Sequence, residues 1–391
     1  MTSEGRLNKY IKGDKVIWIV IVLLCLISLV VVYSATGSLA YRRYGGNTTF
    51  HLVKQGGFLM AGLVVVWATH MIPPIWFRRF SGIMLISSIV LLFVTLLFGV
   101  NLNDASRWIE IPGLGVSFQS SDVAKIALIT YIASALSHRQ KTIENLREGF
   151  LPLIIPVAIV CGLIMPANLS TALMLGIACM IMMFVGRVRI LHLAGTGGAA
   201  VLAVALFIGV SLHFGIGNRA QTWVNRVTAF SGEGSRDANF QAEQSKIAIA
   251  TGGFIGKGPS KSTQRNILPH PYSDFIFAII VEEYGLFGGA LVVLLYLVLL
   301  YRVGVIVRRE KYTFPAFLAF GLAMLMVLQA LINMAVAVNL IPVTGQTLPL
   351  VSMGGTSLLL TCVAFGMILS VSRVQNKKEL FDGEQPVTDN N

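Results

Sequence analysis

The residues best able to do chemistry lie mostly between positions 219 and 283. Asp274 stands in His270-Pro271-Tyr272-Ser273-Asp274-Phe275-Ile276-Phe277, where a polar stretch gives way to an apolar one. A carboxylate at that junction has two readings. It would suit a helix cap, because Asp is a preferred N-cap and the positive end of a helix stabilises it. It would also suit a general base taking a proton from a substrate hydroxyl. On residue type alone the cap is favoured. Glu282 and Glu283 follow in the same apolar run. In a continuous helix Glu282 would lie about 80° around from Asp274 and about 12 Å further along. Paired glycosidase carboxylates stand only about 5–9.5 Å apart. Glu282 and Glu283 are therefore expected to pair with cations or to line a wet cavity, as intramembrane acids usually do.

Asp122 and Lys125 are spaced i, i+3, which brings opposite charges together on a helix. Each charge would be costly to bury alone. A structural ion pair and a pair bordering an active cavity are both open. Arg219, Trp223 and Arg226 recur at i, i+4 and i+7. On a helix they would present two guanidinium groups on one face, suited to a phosphate or pyrophosphate; a solvated interfacial helix is the plainer alternative. Lys257 and Lys261 add cations downstream. Gly252-Gly253-Phe254-Ile255-Gly256-Lys257-Gly258 fails as a phosphate loop: the glycine spacing is one short, Gly258 follows the lysine, and no strand precedes it. It reads as a turn. No His or Cys grouping has metal-ligand spacing, so no metal site is expected. Cys25, Cys161, Cys179 and Cys362 fall singly in apolar stretches, and they suggest neither zinc nor a disulfide framework.

The elements that must position these residues follow from composition. Of 391 residues, 55% are hydrophobic and 12% charged, with a mean hydropathy of +0.75. Soluble domains carry about 25% charged residues. The net charge of +12 is scattered between apolar runs and makes no basic face, which excludes a nucleic-acid module. A helix needs about 20 apolar residues to span a bilayer. Ten candidates lie near 16–34, 56–73, 81–100, 119–137, 150–165, 169–186, 190–213, 274–301, 313–340 and 354–372. The first is too long for a signal-peptide core and reads as a retained helix. The fifth is flanked by Pro152, Pro156 and Pro166 and is expected to bend or break. The fold class is therefore all-α: a polytopic membrane protein of about ten transmembrane helices. Its expected parts are a cytoplasmic tail over 1–15, one membrane domain over 16–373 and a second cytoplasmic tail over 374–391. One large extracytoplasmic loop covers about 216–273. With both termini inside, cytoplasmic segments hold 18 of the 30 Lys and Arg residues and external ones 11, as the positive-inside rule requires. Lys125 is the thirtieth.

Several ordered motifs extend this reading. Gln241-Ala242-Glu243-Gln244-Ser245 leads into Ala248-Ile249-Ala250-Thr251-Gly252-Gly253. Leu268-Pro269-His270, Ser273-Asp274-Phe275 and Glu282-Glu283-Tyr284-Gly285 come after it. Then comes Pro342-Val343-Thr344-Gly345-Gln346-Thr347-Leu348-Pro349-Leu350-Val351-Ser352-Met353-Gly354-Gly355-Thr356-Ser357. Arg107-Trp108-Ile109 and Gln119-Ser120-Ser121-Asp122-Val123-Ala124-Lys125 precede them. Over nearly the whole chain this set resembles the SEDS family of shape, elongation, division and sporulation proteins, the FtsW and RodA group. Two positions depart. Asp122 replaces the family's usual Glu, and Asn168-Leu169-Ser170-Thr171 lacks the acid of its Pro-Asp-Leu-Gly-Thr motif.

The resemblance implies a peptidoglycan glycosyltransferase that polymerises lipid II at the outer face of a bacterial inner membrane. It implies a class B penicillin-binding protein and other divisome proteins as partners. The family's essential loop aspartate falls on Asp274, which turns the expectation there from cap to catalytic base. Gln244, Ser245 and Ser352, within the matching motifs, join Arg219, Arg226, Lys257 and Lys261 as expected substrate contacts. Asp122, Lys125, Glu282 and Glu283 are expected to form structural or cavity ion pairs. Leu348-Pro349-Leu350 looks more like the division branch, which implies a septal location; an elongation role is the alternative. No cofactor is required by any motif, although a divalent cation such as Mg2+ would suit the leaving pyrophosphate. No SxxK motif is present, so transpeptidation is not expected. Two other classes compete: a lipid II flippase, with charged residues lining a path, and a scaffold that catalyses nothing.

Overall fold

The computed structural model describes residues 13–37, 48–102, 105–111, 116–214, 218–230, 236–269 and 271–374. Most of both expected tails, and His270, lie outside them. The described chain runs through α1 (Lys15–Ala35), α2 (Thr48–Met71), α3 (Pro74–Phe98), α4 (Ser120–His138), α5 (Leu151–Ile164), α6 (Leu169–Val185) and α7 (Ile190–Phe214). It continues through α8 (Asn218–Phe230), α9 (Arg236–Gly252), α10 (Ile276–Arg309), α11 (Thr313–Ala337) and α12 (Thr356–Val374). Each of the ten predicted apolar segments is helical. Eight are long and apolar enough to cross a membrane, α5 counting with the π turn Leu146–Phe150 before it, and α6 is a shorter apolar helix. The prolines do not break α5: Pro152 sits in its first turn, where a missing N–H costs nothing, and the helix passes through Pro156.

α4 falls outside the eight because it carries Ser120, Ser121, Asp122 and Lys125, yet it is buried along most of its length. It is the central post, packed against α3, α5, α6 and α11. α7 is the opposite case. Ile190, Leu191, Val201, Leu202 and Leu206 are exposed along it, as suits a helix turned to lipid. One end of the bundle is tied at Asp14. Its carboxylate caps α1 by accepting from the Val16 and Ile17 amides at 2.9 and 3.2 Å, and it pairs with Arg302 of α10. The Asp14 amide donates to Ser372 Oγ of α12 at 3.0 Å.

Two features depart from the sequence reading. Between α3 and α4 lies a small antiparallel sheet, β1 (Val100–Leu102), β2 (Ala105–Ile111) and β3 (Val116–Gln119), in the order β1-β2-β3. Trp108 pairs with Val100 on one side and Gln119 on the other, so the Arg-Trp-Ile motif lies in the central strand β2, and β3 beside it leads into α4. The stretch read as a long polar loop also folds into α8 and α9, and α9 packs on α10.

The predicted eighth helix is not continuous. Gly285 has φ 67 and ψ −167, which divides α10 into a short buried first half and a long second half. The break exists because the 252–258 turn docks there. Lys257 N–H donates to the Glu282 carbonyl at 3.0 Å, Gly258 N–H to the Glu283 carbonyl at 2.9 Å, and Leu286 N–H to the Gly253 carbonyl at 2.9 Å. A Cβ at Gly285 would come within 2.2 Å of the Phe254 carbonyl oxygen, and one at Gly256 within 2.2 Å of the Glu283 carbonyl oxygen.

Gly285→Ala is therefore expected to destabilise the protein by about 1–3 kcal/mol from backbone strain alone, with the steric clash adding to it. A thermal unfolding scan in detergent would read this as a lower Tm and a lower yield; a wild-type Tm would mean the break is not needed.

Candidate functional site

Asp274 is held by its backbone. Three successive carbonyls are gripped from two sides. Met353 N–H donates to the Tyr272 carbonyl at 3.0 Å. Ser352 Oγ donates to the Ser273 carbonyl at 2.7 Å. Asn333 Nδ2, on α11, donates to the Asp274 carbonyl at 2.9 Å. The 342–355 loop that supplies Ser352 and Met353 is itself fixed. Leu348 N–H donates to Ser352 Oγ at 2.8 Å, Asn333 Nδ2 to the Gln346 carbonyl at 2.6 Å, and Ser28 Oγ of α1 to the Val351 carbonyl at 2.9 Å. Gln346 Nε2 donates to Thr171 Oγ1 of α6 at 2.8 Å, and Tyr296 OH of α10 donates to the Pro349 carbonyl.

The carboxylate is left half-buried and chemically available. Ser273 Oγ donates to Asp274 Oδ1 at 2.7 Å. Gly345 lies beside the other oxygen, where an added Cβ would stand 3.5 Å from Oδ2. The cap reading is corrected. α10 begins at Ile276 with Phe275 as N-cap, and no side chain caps it. Arg226 of α8 lies near enough to feel the charge of this carboxylate. Burial pushes the guanidinium below its ordinary value, while the charge of Asp274 opposes that shift. Trp223, one turn earlier, is buried against Phe207, with ring centroids 5.7 Å apart, which orients the face of α8 that carries Arg226. The predicted helical spacing from 219 to 226 is present; the side chain of Arg219 lies outside the described residues.

The other predicted residues separate into two groups. Lys125 Nζ meets Asp122 Oδ1 at 2.7 Å, both side chains buried, and donates to Gln329 Oε1 of α11 at 3.2 Å. Gln329 Nε2 then donates to the Thr347 carbonyl at 2.9 Å, so the pair connects to the loop beside Asp274. Glu282 and Glu283 form a second cluster. Glu282 is fully buried. It accepts from Lys257 Nζ at 2.6 Å, from Thr263 Oγ1 at 2.9 Å, from the Thr263 and Gln264 amides at 3.1 and 3.3 Å, and from Ser262 Oγ. Ser34 Oγ of α1 donates to Glu283, and Arg265 donates to the Ser34 carbonyl at 3.1 Å.

Two expected substrate contacts are buried and bonded within the protein. Ser245 is fully buried and its hydroxyl donates to the Ala337 carbonyl at 2.6 Å, pinning α9 to the end of α11. Ser352 is 3% exposed, with its hydroxyl engaged by Ser273 and Leu348. Both hydroxyls hold backbone carbonyls. Lys257 is engaged by Glu282, Lys261 is exposed, and Gln244 is half-buried on α9. Sequence reasoning missed Asn333 and Gln329. The signal was there: a buried primary amide in an apolar helix is costly unless its hydrogen bonds are made. No group of three His, Cys, Asp or Glu side chains comes together among the described residues.

The family profile described as cell cycle protein, covering FtsW, RodA and SpoVE, matches residues 14–377. The chain is 33% identical to the probable peptidoglycan glycosyltransferase FtsW of Trichlorobacter lovleyi over 373 residues, 94% of each protein. It is 35% identical to stage V sporulation protein E of Bacillus subtilis over 374 residues, 94% of this chain and 98% of that one. Its fold is similar to a chain of a peptidoglycan synthase complex that coordinates polymerization and crosslinking, with a TM-score of 0.72 at 23% identity, covering 93% of this chain and 99% of that one.

The Asp122–Lys125 contact makes a direct prediction. Asp122→Asn or Lys125→Met alone strands a buried charge and is expected to cost about 3 kcal/mol or more, whereas the double variant loses less than the sum. A double-mutant cycle on Tm and membrane abundance checks it; strict additivity would mean the two charges do not support each other.

Proposed function

The chain belongs to the cell cycle protein family of FtsW, RodA and SpoVE, and from that premise we propose that it polymerises lipid II into glycan strands at the outer face of the bacterial inner membrane. Its relatives carry the peptidoglycan glycosyltransferase name over nearly their whole length, and this chain is an enzyme of that kind. The observation that carries the mechanism is Asp274. Its backbone is held, no side chain caps the start of α10, and Arg226 lies near enough to feel its charge.

The chemistry needs one inversion. Lipid II holds its sugar in α linkage to pyrophosphate, and the polymer is β-linked. The acceptor hydroxyl oxygen attacks the anomeric carbon while the bond from that carbon to the pyrophosphate oxygen breaks. Asp274 takes the hydroxyl proton as general base. Arg226, with Arg219 on the same helix, meets the charge that grows on the pyrophosphate. Asp274 offers one carboxylate. Mg2+ is commonly held by one or two carboxylates together with substrate phosphates, so a substrate-borne divalent cation would fit there better than a resident metal.

The orientation follows from charge. Arg78, Arg79, Arg139, Arg187, Arg189, Arg302, Arg308 and Arg309 flank the apolar helices at their cytoplasmic ends in the positive-inside arrangement, with both termini inside. On that orientation Asp274 stands at the opposite, outer end. The partner is a class B penicillin-binding protein acting with other divisome proteins at the septum, in keeping with the division-type Leu348-Pro349-Leu350.

Orientation and chemistry are tested separately. Asn266→Cys, on an exposed residue of the outer turn, is expected to react with an impermeant thiol reagent in intact spheroplasts. Labelling only after membrane disruption would reverse the orientation. Asp274→Asn is expected to fold, accumulate and bind its partner normally while polymerising purified lipid II roughly 10²-fold more slowly, the usual contribution of a positioned base. Asp274→Glu moves the carboxylate by one methylene and should not restore the rate. A well-folded Asp274→Asn protein making glycan at the wild-type rate would return the flippase and scaffold readings to the front.

A further inference from the structure

We propose that Gln329 and Asn333 of α11 are positioning residues for this reaction, an amide clamp that sets Asp274 against the 345–347 stretch and ties both to the Asp122–Lys125 pair. The inference rests on Asp274 being the base.

The two amides are i, i+4 and so share one face of α11. They are 7% and 1% exposed. Asn333 spends its Nδ2 donors on two backbone carbonyls from different parts of the chain, Asp274 at 2.9 Å and Gln346 at 2.6 Å. Gln329 donates to the next residue of the same loop, the Thr347 carbonyl at 2.9 Å and Thr347 Oγ1 at 3.3 Å. Its Oε1 accepts from Lys125 Nζ at 3.2 Å, and Lys125 is held by Asp122 at 2.7 Å. A continuous path of short polar contacts therefore runs from α4, through α11, to the backbone of the base.

A simple packing role fits these contacts poorly. Polar residues used as glue between membrane helices hydrogen-bond across to another helix. Here every donor contact of both amides ends on the non-helical segments that carry Asp274 and Gly345. Asn333 also leaves its Oδ1 buried without a partner, a cost that an apolar residue would avoid. What Asn333 provides in return is the fixed separation of two carbonyls. Displacing a reacting group by about 1 Å can cost roughly 10²-fold in rate, so that separation bears on turnover rather than on substrate affinity.

The test uses the full-length protein with lipid II and its partner. Asn333→Ser shortens the donor, and Gln329→Glu keeps an acceptor for Lys125 while removing the donor to Thr347. Both are expected to lower kcat about tenfold or more with KM for lipid II within about twofold, at unchanged Tm. Combined with Asp274→Asn, Asn333→Ser is expected to leave the residual rate where Asp274→Asn alone puts it, because it acts through that carboxylate. Wild-type kcat in both folded variants, or a combined loss equal to the product of the two single losses, would overturn the clamp. If Asn333→Ser does not accumulate, Gln329→Glu alone decides: wild-type kcat in it overturns the clamp. An active Asp274→Asn protein would instead remove the base reading and the clamp's role with it, a result distinct from wild-type kcat in the clamp variants, which overturns the clamp alone.

Discussion

The site depends on the capture of three adjacent carbonyls, those of Tyr272, Ser273 and Asp274, by Met353, Ser352 and Asn333. A non-helical segment among membrane helices cannot leave its carbonyls unpaired, since each lost hydrogen bond costs several kcal/mol in hydrocarbon. Satisfying them through the backbone frees the side chain for chemistry. The same requirement explains the 342–355 loop, which is buried by Leu348, Leu350 and Val351 and bonded to helices from both halves of the chain. The two irregular segments complete one another, and the helices act largely as the frame that brings them together.

A second set of buried charges supports the first half of α10 from behind. Glu282 is taken out of water altogether, which is tolerable because five donors surround it, one of them the ammonium of Lys257. Lys257 belongs to the turn whose amides also bond the Glu282 and Glu283 carbonyls, and the other donors come from the 262–264 stretch that follows it. The turn, the ion pair and the break at Gly285 are thus one construction. It anchors the 257–265 stretch to α1 through Ser34, Glu283 and Arg265.

Much of this was legible in the sequence. Ten apolar runs became ten helices because about 20 apolar residues can do little else in a bilayer. The i, i+3 spacing of Asp122 and Lys125 was enough to pair them, and the i+7 spacing of the arginines was compatible with α8 although the stretch read as a loop. Three things were not legible. The carboxylate spacing of Asp274 and Glu282 was computed on a straight helix, whereas the backbone at Asp274 is not helical and Gly285 interrupts the helix beyond Glu283. The docking of the 252–258 turn on α10 depends on partners some 25 residues away, beyond any local periodicity. Ser245 and Ser352 read as ligand contacts because hydroxyls in polar motifs invite that reading; only their burial reveals that they bond carbonyls.

The carbonyl capture also has a history in time. Its donors lie 59 and 79 residues beyond the groups they satisfy. A chain threaded into the membrane from its N-terminus at about 5–20 residues per second therefore carries Asp274 for several seconds before Ser352 exists. During that interval the segment must find water or other donors. The Asp274 carboxylate is synthesised well before its surroundings, and the segment gains its full set of donors only when the 342–355 loop has followed it.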